Sequence, residues 1–266
     1  MLKITMKIFS RKQIDRYFFP NIKLACLLIS IFSFSFSNAQ SDTITVSPFA
    51  QVIISPYIEV VFRQAAEESV AIDHLKVDRE KINVEVSRKK LHIYLDEAQV
   101  VTKEEKVKIN GKKRRRPIYK GTEARITIYY KQLKEAEIRG EERIDFKDAI
   151  NTEDFDLDIY GSPKVYVKSI TAEEFKVALY GESYLEIKGG KVGFQRYRAY
   201  GTSEVNAVAL ASTRTKIAAY GSNHITVNVS EKLKVSAFGD AKIQYKGNPK
   251  LNNGLKIGDT TVQKID

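Results

Sequence analysis

The feature of this sequence that most constrains its fold is a glycine that returns about every twenty residues. The spacings between successive members are 21, 20, 20, 20, 18 and 19 residues. The members are Gly140, Gly161, Gly181, Gly201, Gly221, Gly239 and Gly258. A constant period of this length is typical of a solenoid, in which each repeat contributes one coil.

The residues around each glycine alternate between apolar and polar side chains. Two positions before it stand Ile138, Ile159, Leu179, Ala199, Ala219 and Ala237, and four positions after it stand Ile144, Val165, Leu185, Val205, Ile225 and Ile243. A period of two predicts strands with one buried face. Glycine suits the corner between two such strands because it adopts positive φ without a Cβ clash. The alternation excludes a helical solenoid, and the leucine-asparagine signature of leucine-rich repeats is absent. The sequence therefore predicts an all-β, parallel β-helix-like solenoid.

Residues 40–133 are also strand-like but less regular. Residues 82–86 and 91–95 alternate around a short polar turn, which predicts a hairpin, and residues 124–130 form a strand that leads into the coils. We expect residues 40–133 and the regular coils of 134–266 to form one continuous structural unit.

Residues 1–39 have the pattern of a cleaved signal peptide. A basic leader precedes an apolar run of about 13 residues, and small residues stand before the expected cleavage after Ala39. A membrane anchor is the alternative, but a spanning helix needs about 20 apolar residues. Lipidation of Cys26, the only cysteine, is a second alternative. After cleavage no cysteine remains, which excludes disulfides, zinc thiolates and cysteine nucleophiles.

The net charge is +11 for the whole chain and +6 once residues 1–39, with six basic and one acidic residue, are removed. Five of the basic side chains lie in the hexapeptide 112–117, KKRRRP, within a charged excursion at residues 100–121. In a cytoplasmic protein this run would suggest nucleic-acid binding. In an exported protein we interpret it as a solvated loop and expect no nucleic-acid partner.

Several segments in order resemble a known family of exported bacterial proteins. They are SPFAQVIISPYIEVVF, INVEVSRKKLHIYL, ARITIYYKQLKEAEIRGEERI, the serial glycine corners and the final AKIQYKGNPKLNNGLKIGDTTVQKI. The chain resembles the putative auto-transporter adhesins with a head GIN domain over nearly all of residues 40–266. The resemblance implies a right-handed β-helix-like fold and export in a Gram-negative bacterium. The corners differ from the usual serine-glycine-serine of that family, because here an aromatic residue precedes the glycine in five coils.

Candidate catalytic and metal-binding residues are sparse. The three histidines, His74, His92 and His224, are scattered in the sequence, and a metal site or catalytic triad would need them to converge. Carboxylates that could meet on the solenoid wall are Asp156, Asp158, Glu182, Glu186 and Glu204. They alternate with lysines, as on any solvated strand face, so we expect no catalytic residue, metal or cofactor.

The residues before the glycines form the main candidate site. They are Tyr160, Tyr180, Tyr200, Tyr220 and Phe238. They are out of phase with the buried positions, so they should point outward and stack from coil to coil. Cations stand nearby at Lys176, Arg196, Arg198, Lys216 and Lys234. This pattern indicates either a docking face for an anionic or sugar polymer or a purely structural stack.

The leading interpretation is a non-catalytic, exported, adhesin-like module that binds a glycan or an envelope protein. We expect it in the periplasm, on the outer-membrane surface or outside the cell, with no transmembrane anchor in the mature chain. The first alternative is a polysaccharide-acting enzyme with a carboxylate cluster on the solenoid wall. The second is an assembly module whose terminal coils pair edge to edge.

Overall fold

The computed structural model describes residues 42–100, 104–109 and 112–266. Residues Ser41–Asp266 form one compact unit. The predicted signal peptide and Cys26 lie outside the described residues. Within the described ranges, no helix is long and apolar enough to cross a membrane.

The described residues are mostly β-strands. The N-terminal strands are β1 (Asp42–Thr45), β2 (Gln51–Ile54), β3 (Ile58–Gln64), β4 (Ser69–Leu75), β5 (Ile82–Ser87), β6 (Lys90–Leu95), β7 (Glu104–Ile109), β8 (Lys112–Pro117) and β9 (Ala124–Tyr130). The strands of the coils are β10 (Glu135–Gly140), β11 (Arg143–Asn151), β12 (Asp154–Gly161), β13 (Lys164–Gly181), β14 (Tyr184–Ile187), β15 (Gly190–Gly201), β16 (Glu204–Gly221), β17 (His224–Phe238), β18 (Lys242–Lys246), β19 (Lys250–Ile257) and β20 (Thr261–Lys264). A short 3-10 turn spans Arg79–Lys81.

The coils form a β-solenoid of about 6 turns with roughly 20 residues per turn, as the glycine period predicts. Each strand pairs in parallel with the strand one coil later, so β12 pairs with β13, β13 with β15, β15 with β16 and β16 with β17. The pairing is in register: Gly161 lies beside Gly181, and Gly181 beside Gly201. Residues at equal positions in successive repeats therefore lie above one another.

The glycine corner is imposed by backbone conformation and by close contact between coils. Gly201 has φ +117°, and a Cβ at this position would lie 2.4 Å from the carbonyl oxygen of Gly181. Gly181 has φ +128°, and a Cβ at this position would lie 2.3 Å from the carbonyl oxygen of Gly161. A side chain at either corner would thus meet both a strained backbone and the coil below.

The N-terminal strands extend the solenoid and also introduce antiparallel pairs. β2 pairs in parallel with β10 and β6, and β3 with β11 and β9. β4 runs antiparallel to β1 and β9. β5 and β6 form the predicted hairpin, closed by Arg88 and Lys89 with φ of 51° and 63°. Two consecutive residues with positive φ are typical of the tight turns that match strand twist. β7 and β8 form a separate two-stranded sheet.

One continuous apolar core fills the solenoid and its N-terminal extension. Aromatic rings stack inside it, including Phe62 on Phe146 at 4.4 Å and Phe155 on Phe175 at 5.9 Å between centroids. The outward positions of the same strands are left to carry any function.

Candidate functional site

A ladder of aromatic rings runs beside the glycine corner, one ring per coil. Its members are Tyr160, Tyr180, Tyr200, Tyr220 and Phe238. Successive ring centroids are 4.8, 5.0, 4.8 and 5.1 Å apart, with interplanar angles of 5°, 2°, 4° and 1°. The four tyrosines are 36–39% exposed. Their outer surface is therefore accessible along the length of the stack, and the N-terminal strands do not cover it.

The ladder follows directly from the strand register. Tyr160 lies beside Tyr180, which lies beside Tyr200, because each directly precedes a stacked corner glycine. The preceding coil has Arg139 at the same position, and the following coil has Ile257. The aromatic stack is thus bounded by a cation at one end and an exposed aliphatic residue at the other.

A column of cations runs parallel to the ladder, four residues before it on each strand. Its members, Lys176, Arg196, Lys216 and Lys234, are in register across four coils. The ammonium of Lys176 lies 2.8 Å from Glu174 and 3.8 Å from Asp156. The guanidinium of Arg196 lies 5.4 Å from the ring centroid of Phe194, within the range of a cation–π contact. Its Nε is buried without a hydrogen-bond partner among the described residues.

Arg198 occupies the column between the cations and the ladder. Its neighbours in that column are Ala178 and Ala218. The small side chains leave the guanidinium as the main polar group at the centre of the strand face. Arg214 and Lys232 add exposed cations in the next outward column.

The same face is acidic over its first coils, a feature missing from the sequence-based predictions. The acids are Glu135, Glu137, Asp154, Asp156 and Asp158. Burial, together with Glu137, Asp156 and Glu135, raises the pKa of Asp158. The glycine spacing did contain the signal: Glu135 and Glu137 stand five and three residues before Gly140, the same positions as the cations of later coils. The face is therefore electrically polarised along the solenoid axis.

The acidic side chains of the first coils differ in whether they have a basic partner. Glu137 accepts a hydrogen bond from Arg139 Nε at 2.6 Å, and Glu135 lies 3.3 Å from Lys90 Nζ. Asp158 makes no ion pair with any residue that the structure describes. The excess negative charge is thus concentrated at Asp158 and its neighbours.

The other predicted carboxylates follow the glycine corners, away from Asp156 and Asp158. Glu186 pairs in register with Asn206 and lies 3.9 Å from Lys188, and Glu204 lies beside Tyr184 and His224. Glu182 lies in the turn after Gly181. The structure therefore does not bring the five acids into one cluster.

The histidines have separate surroundings. His92 is hydrogen-bonded to Ser55 Oγ at 3.0 Å and lies 4.7 Å from the Tyr94 ring, and burial lowers its pKa. His224 bonds Gln244 at 2.8 Å, and His74 is exposed on β4. Across the described ranges, no group of three or more histidine, cysteine, aspartate and glutamate side chains could hold a metal ion.

These observations define a β-solenoid whose outward face carries an aromatic ladder and segregated charges. The chain belongs to the family described as putative auto-transporter adhesin, head GIN domain, which matches residues 48–249. The resemblance seen in the sequence is thereby confirmed.

Solved structures share the fold at low sequence identity. A putative adhesin from Bacteroides fragilis is 19% identical, with a TM-score of 0.72. A putative adhesin from Parabacteroides distasonis is also 19% identical, with a TM-score of 0.63. A putative lipid binding protein from Parabacteroides distasonis is 18% identical, with a TM-score of 0.57. Each comparison covers 85% of this chain and 96% of the other. No match was found among curated proteins.

The family description supports an adhesin-like role, and the solved structures named adhesins share the fold. The third neighbour also shares the fold but is named a putative lipid binding protein. A shared fold does not specify what is bound, so the ligand has to be inferred from this chain's own surface.

Proposed function

We propose that this protein is an exported, non-catalytic binding module that takes an extended, negatively charged glycan along the aromatic ladder. The observation that carries the proposal is the exposed stack of four tyrosines with a cation column in register beside it. The rings cover one another's faces in the stack, so their outward edges and hydroxyl groups would contact the sugar, and nearby cations would pair with acidic substituents.

The repeat of the surface matches that of such a ligand. The rings recur every 4.8–5.1 Å along the solenoid axis, and one residue of an extended polysaccharide has a similar length. A chain lying along the axis would therefore meet an equivalent ring and cation at each coil. Isolated exposed ion pairs contribute only about 0.2–1 kcal/mol each, so affinity would accumulate over several coils.

Charge polarity limits where the glycan lies. Coils with Arg196, Arg198, Lys216 and Lys234 attract acidic groups, whereas Asp156 and Asp158 repel them. The proposed footprint therefore runs from Tyr180 to Phe238. A neutral glycan would not be restricted in this way.

The experiment is binding of purified residues 40–266 to an array of neutral and acidic glycans. We expect saturable binding to acidic glycans, abolished in a Tyr180/Tyr200/Tyr220→Ser variant that still folds. A Tyr166/Tyr184→Ser variant, which removes two partly buried tyrosines from strands beyond the corner, should bind normally. Arg196/Lys216/Lys234→Gln should reduce binding to acidic glycans more than to neutral ones.

Three results would contradict the proposal. They are the absence of binding to any acidic glycan, equal loss in the control variant, and binding that the folded ladder variant retains. In the last two cases the ladder would be a structural stack, since aromatic pairs stabilise a fold by about 0.5–1.5 kcal/mol each. Self-association through the polarised face would instead appear as a dimer in size-exclusion chromatography.

An enzyme that acts on polysaccharides is the second candidate, and one observation favours it. Asp158 has a raised pKa beside Asp156 and Glu137, as a general acid requires. Incubation with neutral glycans, which Asp156 and Asp158 do not repel, would then release shorter products, and Asp158→Asn would abolish their release while leaving glycan binding intact. Absence of product from a glycan that binds would exclude this candidate.

A further inference from the structure

The ladder face is the surface formed by the aromatic ladder and by the outward side chains that precede it on each strand. Its charges change sign about one central coil, which carries Ala178. Asp158 lies one coil before Ala178 and Arg198 one coil after it, in the same column of the strand register. The neighbouring column places Asp156 and Arg196 in the same way. Each of these acids therefore has a cation at an equal distance on the other side of the central coil.

This arrangement is complementary to a second copy of the chain, turned about a two-fold axis that runs along the strands of the central coil. The rotation reverses the solenoid axis and leaves each column opposite the same column of the other copy. Asp158 of one copy then faces Arg198 of the other, and each such contact occurs twice by symmetry. Asp156 faces Arg196 in the same way. A two-fold axis along the solenoid would instead place acids on acids, so only the first orientation is electrostatically favourable.

The outer coils extend the complementarity. Two coils from the centre, Glu135 lies opposite Lys216, because both belong to the second of these columns. In the ladder column, Arg139 lies opposite Tyr220, and a guanidinium is attracted to an aromatic ring. Glu135 and Arg139 also have partners in their own chain, so these outer contacts contribute less than those nearer the centre.

The two pairs nearest the centre differ in their partners within one chain. Neither Asp158 nor Arg198 forms an ion pair with any residue that the structure describes. Arg198 acts on Asp158 of its own chain only across the intervening coil. Asp156 lies 3.8 Å from the ammonium of Lys176, an exposed contact that contributes little. The strongest contacts between copies are therefore expected from Asp158 and Arg198.

The central coil meets its own copy without excess charge. Lys176 faces Lys176 across the axis, but each ammonium lies 2.8 Å from Glu174 of the same chain. Ala178 faces Ala178, and these short side chains let the two faces approach closely. The tyrosines beside them are 36–39% exposed, so the described part of the chain leaves this surface uncovered.

We propose that the ladder face pairs with a second copy of this chain in an antiparallel, two-fold dimer. The contact spans five coils and six residues of each strand, or about 20 by 24 Å on each copy. This area is at the lower end for specific interfaces, as in transient complexes, so we expect a reversible dimer with a Kd on the order of micromolar. The dimer covers the rings from Tyr160 to Tyr220. In a consequence that rests on the proposed function, an acidic glycan and the second copy compete for one face.

The test is a charge exchange in residues 40–266, followed by sedimentation velocity over a range of concentrations. We expect a dimer that dissociates when salt is raised from about 0.1 M to about 1 M, because the screening length falls from about 10 Å to about 3 Å. Asp156/Asp158→Arg and Arg196/Arg198→Glu each turn four attractive contacts into repulsive ones. Each variant alone should self-associate at least about 100-fold more weakly. When mixed, the two variants restore every attraction and should form a heterodimer.

A matched control reverses two exposed cations outside the ladder face. Lys164/Lys242→Glu changes strands that follow the corner and should dimerise normally. If a reversed variant fails to fold, Asp156/Asp158→Asn should still weaken the dimer about tenfold, because it removes the same attractions.

Four results would overturn the dimer. They are a protein that stays monomeric up to about 1 mM, folded reversed variants that dimerise normally, equal weakening in the control, and folded reversed variants that do not pair when mixed. No glycan takes part in this test, so failure of the dimer leaves the glycan proposal untouched, and failure to bind any glycan leaves the dimer untouched.

Discussion

Replacement of one corner glycine by alanine provides a quantitative test of the solenoid. In Gly201→Ala, the new Cβ would lie 2.4 Å from the carbonyl oxygen of Gly181 and 3.1 Å from its carbonyl carbon. These atoms belong to backbone that is paired in register, so they cannot rotate away. Strain at φ +117° contributes about 1–3 kcal/mol, and the clash adds a similar amount. We expect a loss of about 2–6 kcal/mol in the free energy of unfolding.

Two other glycines separate these contributions. Gly121 has φ +68°, and no atom lies within 4 Å of the position that a Cβ would take, so Gly121→Ala tests strain alone and should lose about 1–2 kcal/mol. At Gly189 the nearest atom to such a Cβ is 3.8 Å away, and Gly189→Ala should change stability by less than about 1 kcal/mol. Urea unfolding with unchanged m-values is the assay. If Gly201→Ala is no more destabilising than Gly121→Ala, close contact between coils does not explain the glycine period.

Three further predictions concern buried or partly buried polar groups. The raised pKa of Asp158 means that its ionised form opposes folding above the ordinary aspartate pKa of about 3.9. Asp158→Asn should therefore raise the urea midpoint at pH 7 but not at pH 3, and a gain that persists at pH 3 would contradict this. The lowered pKa of His92 means that stability falls as the pH drops from above 6.5 through the folded-state pKa. In His92→Gln the thermal unfolding midpoint should therefore depend less on pH over this range. An unchanged pH dependence of that midpoint would refute this prediction. Tyr197→Phe removes the hydroxyl that donates to Gln195 Oε1 at 2.9 Å inside the core. This change should lower the free energy of unfolding, measured in urea, by about 1–3 kcal/mol. A smaller loss would show that the Gln195 amide oxygen finds another donor.

The buried polar network illustrates what sequence periodicity cannot show. Gln195 occupies an inward position, where it donates to Ser212 and Thr215 at 2.9 Å each and accepts from Tyr197. Its partners come from the next coil and from its own strand, and their convergence depends on the register between coils. A polar residue at an inward position is otherwise indistinguishable from an interruption of the pattern.

The sequence by itself determined the repeat, the buried face and the ladder positions, because each depends on local spacing. The period of two sets which side chains of a strand point inward, and a glycine every twenty residues sets where the corners lie. The hairpin turn at Arg88 and Lys89 was also readable, since it lies between two alternating strands.

Only the tertiary structure decided the polarity of the ladder face and the exposure of its rings. Asp158 and Arg198 are forty residues apart in the sequence but two coils apart on one surface, with Ala178 between them. The N-terminal strands do not lie over the tyrosines, because β2 and β3 pair with β10 and β11 and so continue the stack of coils at its end. Exposure and electrostatics are sums over neighbours that are distant in sequence, so they are fixed only when the coils stack.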